Sequence, residues 1–320
     1  MLALLFALIA PDWSLPAARP CAAAELAELT TPSTEPYRLL CRAVLEPGQT
    51  VRRRILIEGA EASGAGLDCR GGAVTVAGPV PTTRTPTIAI WSRRVTAEHW
   101  SRPTDVVLRD CRITGSIRVW GMGADGSYDD LRASSRTTDH VARTQAAAPS
   151  HVTLEGLELT GVGSIPLYAG PGVTRLSLTG SRLTGRSDAT AIYLDAESAD
   201  NRIVDNAFAV RTRREQIAVD GSARNTVTGN RFVLNGQGGV FLYRNCGERG
   251  VIRHQTPSDN QITDNVFTGA ARWRPQTVVV GSREGRRAYC GQDKGWPFGS
   301  SADDGDGATG NVVAPNEMGR

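Results

Sequence analysis

Asp195 and Asp220 are the residues whose type and spacing first suggest chemistry. Asp195 closes the run Ile192-Tyr-Leu-Asp195 and Asp220 closes Ile217-Ala-Val-Asp220. Glu197 follows the first, Arg214 precedes the second run, and Arg244 and His254 lie downstream. Two carboxyl groups side by side can serve a glycosidase, in which one is protonated and the other ionised. They can instead hold calcium while Arg244 or His254 removes a proton next to a substrate carboxylate, as a polysaccharide lyase or a uronate epimerase requires. Asp195, Asp220, Glu197, Arg244 and His254 are therefore the candidate catalytic set. Trp120, Tyr168, Tyr193 and Tyr243, which recur at related places, would stack sugar rings, and Arg214 and Arg283 would pair with acidic groups of the substrate.

These residues need elements that bring them together, and the sequence supplies a repeat. Asn201-Arg-Ile-Val-Asp-Asn206-Ala-Phe208 is followed by Asn225-Thr-Val-Thr-Gly-Asn230-Arg-Phe232 and Asn260-Gln-Ile-Thr-Asp-Asn265-Val-Phe267. A degenerate copy, Asn311-Val-Val-Ala-Pro-Asn316, ends the series. Earlier copies around Leu154–Gly161 and Leu178–Gly185 keep the apolar frame without the Asn. The last apolar position steps from Leu159 to Leu183, Phe208, Phe232 and Phe267, at intervals of 24, 25, 24 and 35 residues. After each copy comes a second short run with period-two alternation, the signature of a strand with one buried face. A period near 24 without helical segments predicts stacked coils of parallel strands. The Asn residues are expected to tolerate left-handed turns and to stack in a hydrogen-bonded ladder.

This grammar resembles the right-handed parallel β-helix superfamily of pectate lyases and polygalacturonases, from about residue 40 to residue 318. The resemblance implies an all-β solenoid of about nine coils, an N-terminal cap over residues 21–40 with a short helix across Ala22–Leu29, and polysaccharide-cleaving activity. The Gly-His-Gly and Arg-Ile-Lys motifs of the polygalacturonases are absent, so no family catalytic residue transfers to a numbered position here.

In such a solenoid Ile192, Leu194, Val219, Leu242, Phe208, Phe232 and Phe267 face inward. The outward positions of the second strands then form two columns: Arg118, Pro166, Tyr193, Ala218, Phe241 and Val279, and beside it Trp120, Tyr168, Asp195, Asp220, Tyr243 and Gly281. Asp is depleted in strands, and like charges on neighbouring strands are destabilising. An adjacent pair framed by aromatics therefore points to a binding strip. The inserts that lengthen the later coils carry Arg253-His254-Gln255 and residues 283–301 to the same edge. That placement favours a Cys246–Cys290 bond among the pairings that six cysteines allow. A Ser-, Thr- and Arg-rich insert between Gly121 and Ser150, with His140 inside it, is expected to wall the strip near Trp120. Asp303-Asp304-Gly-Asp306-Gly lacks calcium-loop spacing and reads as a solvated turn.

Composition bounds the rest. The net charge is +3 and Lys294 is the one lysine among 36 basic residues, a balance too even for a nucleic-acid footprint. No apolar run reaches the roughly 20 residues of a membrane span. Residues 1–20 read as a secretory leader, and the even number of cysteines agrees with export to a periplasmic or extracellular compartment. The sequence thus predicts a monomeric, exported, polysaccharide-active enzyme. Glycoside hydrolysis comes first, and a calcium-using lyase or epimerase second. A non-catalytic β-helix protein that binds glycan, adheres or delivers metal is the third reading. No metal ligand is assigned, and no cofactor beyond calcium in the lyase case.

Overall fold

The computed structural model describes residues 19–235, 238–269 and 276–319; the expected leader lies almost wholly outside them. Three parallel sheets of nine, eight and ten strands run the length of the molecule, and most coils add one strand to each. The predicted inner stack is present: Ile113, Leu159, Leu183, Phe208, Phe232 and Phe267 are register partners from coil to coil. The three phenylalanines stack with ring centroids 4.6 and 4.8 Å apart. Every residue expected inside is at most 1% exposed. Alternation alone was sufficient for this, because a one-residue slip would have moved the whole apolar set into solvent.

The Asn residues form two continuous ladders. Asn201, Asn225, Asn260 and Asn311 make one, each side-chain amide and backbone N–H donating to the Oδ1 of the next at 2.7–3.1 Å. Asn206, Asn230, Asn265 and Asn316 make the other in the same way. The left-handed backbone expected at the Asn lies one residue earlier, at Asp200, Arg224, Asp259 and Gly310, and at Asp205, Gly229 and Asp264. Turning the chain at the preceding residue leaves each amide pointing inward along the stack, where its hydrogen bonds replace water that a buried turn cannot reach.

The cap helix is Ala23–Thr30, and Cys21–Cys41 ties it to the first coil. Cys69–Cys111 and the anticipated Cys246–Cys290 complete the disulfides. Two features depart from expectation. The 121–150 insert contains helices Tyr128–Ser134 and His140–Ala147. Each is only about two turns long, so its apolar period is too short to read in sequence; Leu131 and Ala147 pack with Trp100, Met122 and Val251. The acidic turn near residue 303 is not wholly solvated either. Asp306 is fully buried, and its carboxylate accepts the backbone N–H groups of Arg244 and Arg283 at 2.9 and 2.8 Å.

The sheet that bears the candidate site comprises Tyr37–Arg38, Ile55–Glu58, Ile88–Trp91, Ile117–Trp120, Leu167–Ala169, Ile192–Leu194, Glu215–Asp220, Gly238–Tyr243 and Gln276–Val280. Its register corrects both outward columns at one coil, where Tyr168 takes the place expected for Pro166. Tyr168 pairs with Arg118 and Tyr193, not with the positions of Trp120 and Asp195. The strand begins two residues later than counting from Ile165 places it. Pro166 precedes the strand, where its carbonyl accepts from Ile117 N at 2.8 Å and its missing N–H is not needed.

Candidate active site

The outer face of this sheet is the floor of a cleft of about 960 Å³. Trp91, Arg118, Trp120, Tyr168, Tyr193 and Asp195 line the floor. Tyr128 of the helical insert, Asn245 to Arg253, Tyr289 and the 83–84 loop form the walls, and Arg214 lies at one edge. Alternation sends these floor side chains outward, and the inserts rise around them. Beyond Asp195 the inserts close over the sheet: Glu215–Asp220 and Gly238–Tyr243 are buried along their whole length.

The register of Ile192–Leu194 with Ile217–Val219 carries Asp195 to the position beside Asp220, and Asp220 pairs with Tyr243. The two aspartates occupy different environments. Asp195 is 7% exposed and reaches the cleft, whereas Asp220 is 0% exposed behind it. Asp195 accepts from Arg253 Nη1 at 3.2 Å, from Ala196 N at 2.8 Å and from the Tyr168 hydroxyl. Asp220 accepts from the Asn245 backbone N and side-chain Nδ2, both at 2.7 Å, and from the Tyr193 hydroxyl at 2.5 Å. Burial pushes the Asp220 carboxyl up to about 7, against the pull of Arg253 and with repulsion from Asp195. Three donors favour its ionised form, yet complete removal from water outweighs them. Burial opposes the charge on Arg253, but Asp195 and Asp220 hold its proton more firmly than usual.

A wire of hydroxyls and amides runs from the cleft to the buried acid. Tyr289 donates to Asn245 Oδ1 at 2.6 Å, Asn245 donates to the Tyr193 hydroxyl at 2.9 Å, and Tyr193 donates to Asp220. Burial raises Tyr168 and Tyr193 well above the usual phenol range, and Tyr289 to about 12, so all three stay protonated donors.

Arg118 was visible in an outward column but had no role assigned to it. Its guanidinium lies 4.1 Å from the ring centre of Tyr168 and 4.8 Å from that of Trp120. It is 5% exposed, its Nε has no hydrogen-bond partner, and it forms no ion pair among the described residues. Burial lowers its pKa, while Tyr168, Tyr128 and Asp195 oppose that shift.

The remaining candidates divide by position. Trp120, Tyr168, Tyr193, Asp195 and Arg214 meet in the cleft, with Asp220 directly beneath. Tyr243 lies one coil further, covered by Arg283 3.5 Å above its ring, and donates to the buried Glu215 at 2.9 Å. Glu197, Arg244 and His254 do not line the cleft. Glu197 accepts the backbone N–H groups of His254 and Gln255 at 2.8 and 3.0 Å, and burial raises it to about 7. Arg244 donates to the carbonyls of Gly305 at 2.5 Å, Asp303 and Arg253. His254 donates to the Ser135 carbonyl at 2.7 Å and packs on His140 and Phe298. These three join the inserts to the coils. Arg253, Asn245, Tyr128 and Tyr289 enter the cleft from inserts; their only sequence signal was membership of a segment that interrupts the period.

The two clusters of metal-capable groups among the described residues, Cys21–Glu25–Cys41 and Cys246–Cys290–Asp304, are each built on a disulfide, which has no thiolate to give. No helix among the described residues is long and apolar enough to cross a membrane.

Comparison with known proteins places this architecture. No curated protein sequence matches the chain. Among solved structures it is similar to an alginate lyase from Paenibacillus sp. str. FPU-7, at 11% identity and a TM-score of 0.40, over 82% of this chain and 97% of that one. It is also similar to a GH136 lacto-N-biosidase from Eubacterium ramulus, at 12% identity and TM-score 0.43, over 91% of this chain and 46% of that one. An endo-xylogalacturonan hydrolase from Aspergillus tubingensis aligns at 9% identity and TM-score 0.34, over 95% of each chain. The family described as a right handed beta helix region matches residues 106–281, more than half of the sequence, and the chain belongs to that family.

Proposed function

We propose that the protein is an exported enzyme that cleaves an acidic polysaccharide in this cleft, by hydrolysis at Asp195. The observation that carries the reading is Arg118, a buried guanidinium stacked on two aromatic rings in the same cleft as Asp195, with no anion of its own. A buried cation without a partner is costly, and a carboxylate on a sugar that stacks against Trp120 or Tyr168 would complete it. Three disulfides support an oxidising compartment.

The roles follow from the environments. Asp195, held by Arg253, Tyr168 and a backbone N–H, acts as the ionised carboxylate. It takes a proton from water as the water oxygen bonds to the anomeric carbon and the glycosidic C–O bond breaks. The leaving oxygen takes the Tyr193 hydroxyl proton while the protonated Asp220 carboxyl, then the donor of the hydrogen bond that joins it to Tyr193, passes its own proton to that hydroxyl in the same step. An acid with a pKa near 7 is suited to this task. Every oxygen of Asp195 and Asp220 already accepts from a protein donor, one of them the Arg253 cation, which argues against calcium bridging the pair.

Arg118 also favours a second reading, β-elimination, in which it would hold the uronate carboxylate and make the neighbouring C–H more acidic. One experiment separates the two. A panel of acidic and neutral glycans is incubated with enzyme, with and without chelator, and reducing ends and ultraviolet absorbance are followed. Hydrolysis releases reducing ends from acidic glycans without an absorbing product or chelator sensitivity, and Asp195→Asn lowers the rate at least about a hundredfold. An absorbing unsaturated product assigns the lyase reading instead. Binding without turnover on any glycan rejects both and leaves a carbohydrate-binding protein.

A further inference from the structure

Outside the cleft, past Tyr128 and Arg249, lies an open groove of about 790 Å³. Arg84, Arg132, Arg136 and Arg249 line it together with Gln292, and no carboxylate does. The cleft and the groove share Arg84, Tyr128 and Arg249, so one is continuous with the other. Their charge balance differs. The cleft offsets five arginines with Asp125, Asp195 and Glu248, whereas the groove has guanidinium groups alone.

These groups are positioned rather than merely gathered. Arg249 lies 4.2 Å above the Tyr128 ring and Arg136 lies 4.9 Å above Trp296. Stacking fixes the guanidinium plane and leaves its edge N–H groups free to donate. The backbone of Arg249 is left-handed, with φ 59°, an uncommon conformation for a residue with a side chain. Its carbonyl accepts from Arg132. The one ion pair among the four joins Arg132 to Asp129, whose side chain is 86% exposed and well hydrated. The four guanidinium groups line the groove without a carboxylate to offset them, so within it their mutual repulsion is screened by salt alone. A chain bearing regularly spaced anions would relieve that repulsion.

We infer that this groove is an anchoring subsite for the oxyanions of a polyanionic glycan whose reacting sugar lies in the cleft. The inference rests on the acidic-glycan reading but concerns binding alone. The chemistry recognised is a planar carboxylate or a tetrahedral sulfate, either of which fits a guanidinium edge. Arg132 and Arg136 line the groove and not the cleft, so they are the residues to change.

The test measures affinity for polygalacturonate, heparin, neutral dextran and single-stranded poly-deoxythymidine. All proteins carry Asp195→Asn so that turnover does not consume the polymer. With Arg132→Gln and Arg136→Gln together, affinity for polygalacturonate or heparin should fall at least about tenfold, and affinity for a uronate trisaccharide should not change. Raising salt from about 0.1 M to about 1 M, which shortens the screening length to about 3 Å, should weaken binding by the parent and much less by the double variant. Comparing the two polyanions distinguishes carboxylate from sulfate. The melting temperature of the double variant controls for folding. Equal polymer affinity in parent and double variant would overturn the inference, as would equal binding of dextran or tighter binding of poly-deoxythymidine. If polymer binding depends on the groove but the protein with Asp195 intact cleaves no glycan, the cleavage reading fails and the groove stands. Cleavage with unaltered binding gives the converse.

Discussion

Arg253→Gln tests the electrostatic arrangement at its centre. Arg253 Nη1 lies 3.2 Å from Asp195 Oδ1, and the two side chains are 9% and 10% exposed. At an effective dielectric constant of about 20 their attraction is about 5 kcal/mol before desolvation. Removing one member of a buried pair costs about 3–5 kcal/mol, because the other charge is left uncompensated. Without the cation, Asp195 and Asp220 face each other from strands about 4.8 Å apart, a repulsion of about 3 kcal/mol when both are ionised. One of them must then keep a proton. The folded variant would hold that proton at pH values where the unfolded chain has released it, above about pH 4. More protons bound in the folded state mean that stability falls as pH rises. The parent already shows this direction at Asp220, whose pKa burial raises to about 7, and the variant extends the window upward. The expected loss is about 3–5 kcal/mol near pH 8 and smaller by at least about 1.4 kcal/mol near pH 5, where protonation relieves the pair. Urea unfolding curves at the two pH values, compared at equal m-value, measure both quantities. An equal loss at both pH values, or a loss below about 1 kcal/mol near pH 8, would refute Arg253 as the counter-charge of the two aspartates.

Three further outcomes are expected. Asn230→Ala breaks a ladder between Asn206 and Asn265 and leaves buried donors unpaired, so urea unfolding should show a loss of about 1–3 kcal/mol with little change in glycan affinity. Burial raises Glu197 to about 7, so its contribution to stability is present below its unfolded pKa of about 4.5 and is lost as pH rises through 7; Glu197→Gln should flatten the fall in melting temperature between about pH 5 and pH 7. Replacing Cys246 and Cys290 together by Ser frees the segment that carries Tyr289 away from Asn245, and should lower glycan affinity more than it lowers the melting temperature.

What was legible in the sequence and what was not divide along a physical line. The inward stack repeats in coil after coil and the Asn ladders through the later coils, so each states the same rule again: apolar residues alternate because the sheet has one dry face, and Asn recurs because each of those turns must satisfy its neighbour. Asp195 beside Asp220 followed from that register, since both end strands of matching pattern. The position of Tyr168 did not, because the strand start after Pro166 depends on which backbone N–H groups pair, and alternation over four residues leaves that open. The cleft belongs to the tertiary structure. Arg253, Asn245, Tyr128 and Tyr289 arrive on inserts that obey no period, and their paths are set by contacts such as the Cys246–Cys290 bond and the carbonyls gripped by Arg244. Glu197 and His254 read as chemistry in the sequence because they are titratable and near the strip; folding turns them toward the inserts, where backbone groups occupy them. Arg118 shows the reverse. Its outward direction was readable, but only the assembled coils place Tyr168 and Trp120 beside its guanidinium and leave it without an anion.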